Sequence, residues 1–399
     1  MNKKLIALAV AAALAPAAAL ADNGNVTIYG QANASIDRVD PGTAPSAAAV
    51  PFNAITGAAA QPANRNFNDT AMRISSNASR LGFKGTEDLG NGLSAVWQME
   101  SGVNLDTGAT ASTFMMRNTY VGLSSKAAGT FILGKHDTPY KLGTGSLDLF
   151  ADTMGDYNAI VGNFNGTLAF DSRLGNVAAY ISPALSGFTF IGAVVAANET
   201  NNTANKDGSA YSLTGMYGNG PLFASLSYEH AKDITGSSTE VTSADAGGVL
   251  GALDKASAIK LGLGYKFGAA TVGFIAERIT LDPILGGIYD ANGDGSSFRR
   301  NAYVLNGSYT MGSNVLKAAY GKAGALSCTG CGNIDGKQFT VGVDHNLSKR
   351  STVYALYSKM SNGDGASYGL GGNGAGGAFR PAAAGQDPSV WSLGMKHSF

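Results

Sequence analysis

Residues 79–100 read SRLGFKGTEDLGNGLSAVWQME, two alternating runs hinged on a tight turn at Glu87-Asp88-Leu89-Gly90-Asn91-Gly92. This is the signature of a β-hairpin. In the first run Leu81, Phe83 and Gly85 share one face, and Arg80, Lys84 and Thr86 share the other. In the second, Leu93, Ala95, Trp97 and Met99 oppose Ser94, Gln98 and Glu100. Alternation alone suits a soluble sheet as well as a membrane one. The ends of the chain, and the recurrence of the hairpin along it, separate the two.

The chain opens with Lys3 and Lys4, followed by an apolar run from Leu5 to Leu20 that finishes in Ala19-Leu20-Ala21. A charged start, an apolar middle and a small-residue end form a secretory signal peptide, so residues 1–21 are expected to be removed and 22–399 to form one barrel domain. No later stretch approaches the roughly 18–20 unbroken apolar residues of a membrane helix. Charged residues make up 14% of the chain, against about 25% in soluble domains. Hydropathy nevertheless averages near zero, so apolar and polar residues are interleaved, as in sheets with one face of each kind. With 28 basic and 28 acidic residues in the full sequence there is no basic field to recommend nucleic acid as a partner.

The alternation continues. Val26, Ile28, Gly30, Ala32, Ala34 and Ile36 oppose Thr27, Tyr29, Gln31, Asn33, Ser35 and Asp37; Ile259, Leu261, Leu263, Tyr265 and Phe267 oppose Lys260, Gly262, Gly264 and Lys266. Runs such as 130–135 and 352–360 have no clear parity. Between the runs, compact turns (87–92, 124–129, 182–187, 218–221, 267–270, 311–313, 346–351) take turns with long stretches rich in Gly, Ala, Asn, Ser and Asp. Seven short turns make seven hairpins, and the first and last strands bring the count to sixteen. Short turns at one end and long loops at the other, with an even strand number, predict an all-β, 16-stranded antiparallel transmembrane β-barrel. Its final strand, 389–399, ends on Phe399 and closes against the strand from Val26. Small inward residues such as Gly262, Gly264 and Gly342 predict an open lumen, where a non-conducting adhesin or receptor barrel would fill its interior.

VTIYGQANASID (26–37), the hairpin at 79–100, RNTYVGLSS (117–125), GTFILGKHDTPY (129–140), LSKRSTVYALY (347–357) and the terminal WSLGMKHSF occur in order along nearly the whole mature chain. On these motifs the chain resembles the trimeric general porins of Gram-negative outer membranes, especially the betaproteobacterial kind. The resemblance implies a homotrimer set in outer-membrane lipid and lipopolysaccharide, with a third loop folded into each pore opposite a basic wall. It places the basic wall at Arg80, Arg117 and Arg173, with Lys135 as a further member. The acidic side is Glu100 and Asp148 of SLDLF, with Asp152 and Asp156 as further members. Asp148, Asp152 and Asp156 recur every four residues, which predicts one face of a short helix. The implied activity is passive diffusion of small hydrophilic solutes and ions, with a weak anion preference and no cofactor. A substrate-preferring channel of the same fold is the alternative.

Other constellations point less far. Cys328 and Cys331, in CTGC, read as a local disulfide in an exported chain, since two thiols are too few for zinc. Asp290, Asn292 and Asp294 match the first half of a calcium loop, but its twelfth position is Asn301 rather than Glu, and a plain turn explains the stretch. His136 and Asp137 are adjacent and point to opposite faces of a strand, which disfavours acid–base chemistry. No GxSxG, HExxH or phosphate-binding glycine loop appears, so no enzymatic activity is expected. Arg299, Arg300, Lys349 and Arg350 read as solvated turn charges, with lipid headgroups as the other reading.

Overall fold

The computed structural model describes residues 26–43, 66–67, 69–108, 115–168, 170–196, 209–232, 253–283, 297–327, 333–371, 379–381 and 383–399. The expected signal peptide, the Cys328/Cys331 pair and the Asp290/Asn292/Asp294 turn lie outside these residues. The wall strands are β1 (Thr27–Asp40), β2 (Ala71–Ser76 and Arg80–Gly90), β3 (Leu93–Gly102), β4 (Thr119–Ser125), β5 (Gly129–Asp137), β6 (Arg173–Ile181), β7 (Phe188–Ala196) and β8 (Ser209–Asn219). They continue with β9 (Leu222–Lys232), β10 (Leu253–Phe267), β11 (Ala270–Pro283), β12 (Phe298–Met311), β13 (Asn314–Ala323), β14 (Gly336–Asn346), β15 (Ser351–Asn362) and β16 (Ser389–Ser398). The two segments of β2 are halves of one strand, because both pair with β1, and the break falls at Ala78 with φ 50°.

Each strand pairs antiparallel with its successor, and β16 returns to β1 from Gln31↔Ser398 to Asp40↔Ser389. Phe399 completes the seam by exchanging backbone hydrogen bonds with Gly30, both 3.1 Å. Closure leaves no unpaired edge. The first hairpin is tighter than its sequence suggests. β2 runs on to Gly90 through a bulge at Leu89, leaving a turn of Asn91 (φ 52°) and Gly92 (φ 75°), residues that accept the positive φ such a turn requires.

The wall is inside-out relative to a soluble protein. On β1, Ile28 and Ile36 are 61% and 51% exposed, whereas Asn33 and Asp37 are fully buried. Exposed aromatics gather near the short turns (Phe188, Tyr265, Phe267, Tyr309) and again near the loop end (Tyr211, Tyr303, Trp391). Such paired girdles flank the apolar band of a membrane barrel.

The two runs without parity have physical explanations. On β5 the register slips opposite Leu174/Val177 and Gly134 takes φ 143°, so outward Phe131 and Leu133 give way to inward Lys135 and Asp137. On β15 the inward face is itself largely apolar: Tyr354, Leu356 and Met360 are buried with Ser358 between them, and the Tyr354 ring covers Gly394 while its hydroxyl donates to Asn33 Oδ1 (3.0 Å). That interior packing also corrects the reading of the small inward residues. A Cβ on Gly262 or Gly264 would meet Leu147 at 3.0 or 2.9 Å, and one on Gly342 would meet Phe150 at 3.0 Å. These glycines make room for the segment between β5 and β6 rather than for open water.

Candidate pore constriction

That segment, described at residues 138–168 and 170–172 and here called the third loop, lies inside the barrel. It begins with a four-residue helix, Pro139–Leu142, capped by Thr138, whose hydroxyl accepts the Lys141 N–H. Pro at the first turn suits a helix start, and Gly143 ends it. Two 3-10 turns follow, Gly145–Leu147 and Tyr157–Ala159. Leu147 and Phe150 sink into the glycine sockets, while Asn306 donates to the Leu147 carbonyl (2.7 Å) and Lys317 to that of Leu149 (2.9 Å).

No helix carries Asp148, Asp152 and Asp156 on one face. Asp148 accepts from Phe150 N–H (2.9 Å) and Asp156 from Asn158 N–H (2.8 Å), each two residues on. Aspartates that bond their own backbone in this way compete with helix formation, and Asp152 between them takes φ 59°. The roles implied for the three acids therefore divide. Asp148 and Asp156 face into the loop and shape it, and Asp152 alone reaches the basic wall.

Asp152 Oδ2 lies 3.1 Å from Arg80 Nη1 and 3.2 Å from the Gln31 amide, while its carbonyl accepts from Asn33 (2.8 Å). Along the wall, Arg117 Nε meets Glu100 at 2.5 Å, with the Tyr29 hydroxyl on the other Glu100 oxygen at 3.0 Å. Arg173 binds Asp137 (2.9 Å) and Asn118 (2.5 Å), and Lys141 shares Asp137 at 3.3 Å. Lys135 has no carboxylate within ion-pair distance among the described residues. His136 turns aside: its Nδ1 lies 2.8 Å from the Asp137 carbonyl and its ring packs edge-on to Tyr120.

Burial alone would push the Asp152 carboxyl up, but Arg80 and Arg117 outweigh it and hold the group below the usual carboxylate range. Burial likewise pushes Asp156 up to about 7, with Asp152 adding to the rise, and Asp148 goes well up from burial and from Asp156 beside it. One arm of the site thus stays ionised while the acids behind it favour the proton. Around Asp152 five partly exposed cations (Arg80, Arg117, Lys135, Lys141, Arg173) stand with two partly exposed carboxylates (Asp137, Asp152) and the buried Glu100. In a lumen with low-dielectric walls such an excess focuses a positive potential.

Sequence reading missed a second set of charges behind the loop. Lys260, directly opposite Glu277 across the β10/β11 register, binds Asp171 and sits 4.1 Å from the centre of the Tyr140 ring. Arg300 is 1% exposed, not a solvated turn charge; it pairs with Glu277 and holds the Ile160 and Asn163 carbonyls. Glu277 also accepts from Gly162 N–H (2.8 Å) and the Tyr140 hydroxyl (2.7 Å). Opposite inward charges on neighbouring strands were the available signal. Arg299, Lys349 and Arg350 are exposed, as expected.

A family model described as Gram-negative porin matches residues 7–365. Outer membrane porin protein 32 of Delftia acidovorans is 28% identical over 408 residues, spanning all of both chains. An outer membrane porin protein of Bordetella pertussis is 31% identical over 387 residues, 91% of this chain and 95% of the relative. Among solved structures, the anion-selective porin from Comamonas acidovorans superposes with a TM-score of 0.71 at 25% identity, covering 94% of this chain and 99% of that one. The trimer form of OmpT from Vibrio cholerae has the same fold, with a TM-score of 0.60 at 16% identity over 95% of this chain and all of the other.

Proposed function

This chain belongs to the Gram-negative porin family and is a passive channel for small hydrophilic solutes and ions across the outer membrane, and on that premise we propose that it works as a homotrimer whose pores favour anions. The observation that carries the preference is the excess of cations among the partly exposed groups at the third loop, with Lys135 unneutralised by any described acid. Solutes pass a waist where Asp152 stands against Arg80 and where Glu100 and Asp137 each neutralise part of the adjacent basic wall. Opposed charges at short range align dipolar solutes and turn away apolar ones, and the surplus of positive charge lowers the barrier for anions. The apolar exterior is set in outer-membrane lipid and lipopolysaccharide. The reading includes no catalytic step and no cofactor.

Swelling of proteoliposomes in neutral, anionic and cationic sugars of matched size tests the preference. Entry of the anionic sugar is expected to outpace that of the cationic one at low salt, and the margin should shrink as salt screens the wall. Equal or reversed rates overturn the preference. Light scattering in detergent should return three chain masses per particle, and a single chain mass overturns the trimer.

A further inference from the structure

The last long connection, between Asn362 and Ser389, buries much of its described length inside the rim of the barrel. The Asn362 amide donates to the carbonyls of Tyr368 (2.9 Å) and Gln386 (2.6 Å), one on each limb. Leu370 and Phe379 then pair the limbs through backbone hydrogen bonds of 2.7 and 2.8 Å. Ala366, Tyr368, Leu370 and Phe379 are all 0% exposed.

Two contacts lead from this connection to the third loop. The Ser367 N–H donates to Asn165 Oδ1 at 2.7 Å, and Asn165 is in the turn of a small hairpin pairing Asn163–Phe164 with Thr167–Leu168. The Phe379 ring centre lies 5.9 Å from the Arg73 guanidinium carbon, and Arg73 Nη2 lies 3.1 Å from Met154 Sδ, two residues beyond Asp152. Between them Arg300 grips the loop at Ile160 and Asn163. A hairpin of two-residue strands is not stable by itself, so what seats it decides where it stands.

We propose that the connection between Asn362 and Ser389 braces the third loop, with Ser367 and Phe379 as positioning residues that fix Asp152 against Arg80 without meeting the passing solute. The inference rests on the reading of Arg80 and Asp152 as the waist. It makes the geometry of the constriction depend on a connection more than 190 residues away in sequence.

Single-channel recording of the full chain tests the brace. Asn165 has φ 46°, so Asn165→Gly keeps the turn while deleting the acceptor; Phe379→Ala removes the contact with Arg73. Each variant is expected to raise the occupancy of partly blocked current levels about fivefold, the change that follows from losing one net hydrogen bond or its equivalent, and the double variant more. Phe379→Leu, which keeps an apolar side chain but removes the ring over Arg73, should raise open-channel noise and supplies the reading if the double variant does not assemble. Current levels, noise and reversal potential like those of the wild type in all assembled variants overturn the brace. A wild-type protein that does not conduct overturns the channel reading instead, so the two failures are distinguishable.

Discussion

Asp152→Asn removes one charge from the waist and leaves nearly everything else in place. The side chain keeps its size, and the backbone carbonyl that accepts from Asn33 at 2.8 Å is untouched. The Arg80 and Asp152 side chains are 24% and 25% exposed, so the local dielectric response lies between that of a protein surface and that of water. With an effective dielectric constant of about 40, an ion passing about 6 Å away interacts with Asp152 by roughly 1.4 kcal/mol, which 0.1 M salt reduces to about 0.8 kcal/mol. Removing the charge helps an anion as much as it hinders a cation, so the anion-to-cation permeability ratio should rise roughly tenfold. Reversal potentials across a potassium chloride gradient measure it directly. Asp148→Asn is the control, because Asp148 faces Phe150 and Tyr157 inside the loop and should leave the ratio within about twofold of wild type. An unchanged ratio for Asp152→Asn, or a larger shift for Asp148→Asn, refutes the placement of these two acids.

Three further outcomes follow from the same geometry. Asp137→Asn releases both Arg173 and Lys141, so it should increase anion preference, and a shift toward cations in reversal potential would contradict the pairing. Gly264→Val puts a methyl-bearing Cβ where Leu147 stands at 2.9 Å; overpacking of this kind costs about 1–3 kcal/mol, and altered unitary conductance with the barrel still assembled is the expected readout. Burial raises Asp156 to about 7 and Asp148 in the same direction, so their contribution to loop docking is complete below about pH 4 and is lost as pH rises through about 7. Open-channel noise should therefore grow between about pH 4 and pH 7 and level off above; noise that is constant or falls across that range contradicts this account.

The wall was legible because a lipid-facing strand imposes period two on the sequence with few exceptions. β1, β10 and β16 show it residue by residue, and the short turns fixed the strand count. Legibility failed where the inward face meets protein instead of water. Tyr354, Leu356 and Met360 look outward by composition, yet they share the inward face of β15 and are buried in the interior cluster. Gly264 looks like pore lining, yet it is a socket for Leu147. Among the residues of the candidate site, Arg80 and Glu100 follow from strand parity, whereas Arg117 and Arg173 follow only from the motifs they share with the family. The third-loop acids could not be placed, since the spacing of Asp148, Asp152 and Asp156 is the same for a helix as for a loop of two Asx turns. Arg300 meets Ile160 and Asn163 across 140 and 137 residues of chain, a separation over which local pattern says nothing.

The most direct test of the central claim is the single-channel conductance of the purified wild-type protein in a planar bilayer, with the reversal potential taken across a salt gradient. The account predicts current steps in groups of three and a reversal potential on the anion side, moving toward neutrality as bulk salt rises. Absence of conductance, or a cation-side reversal potential at low salt, would contradict it.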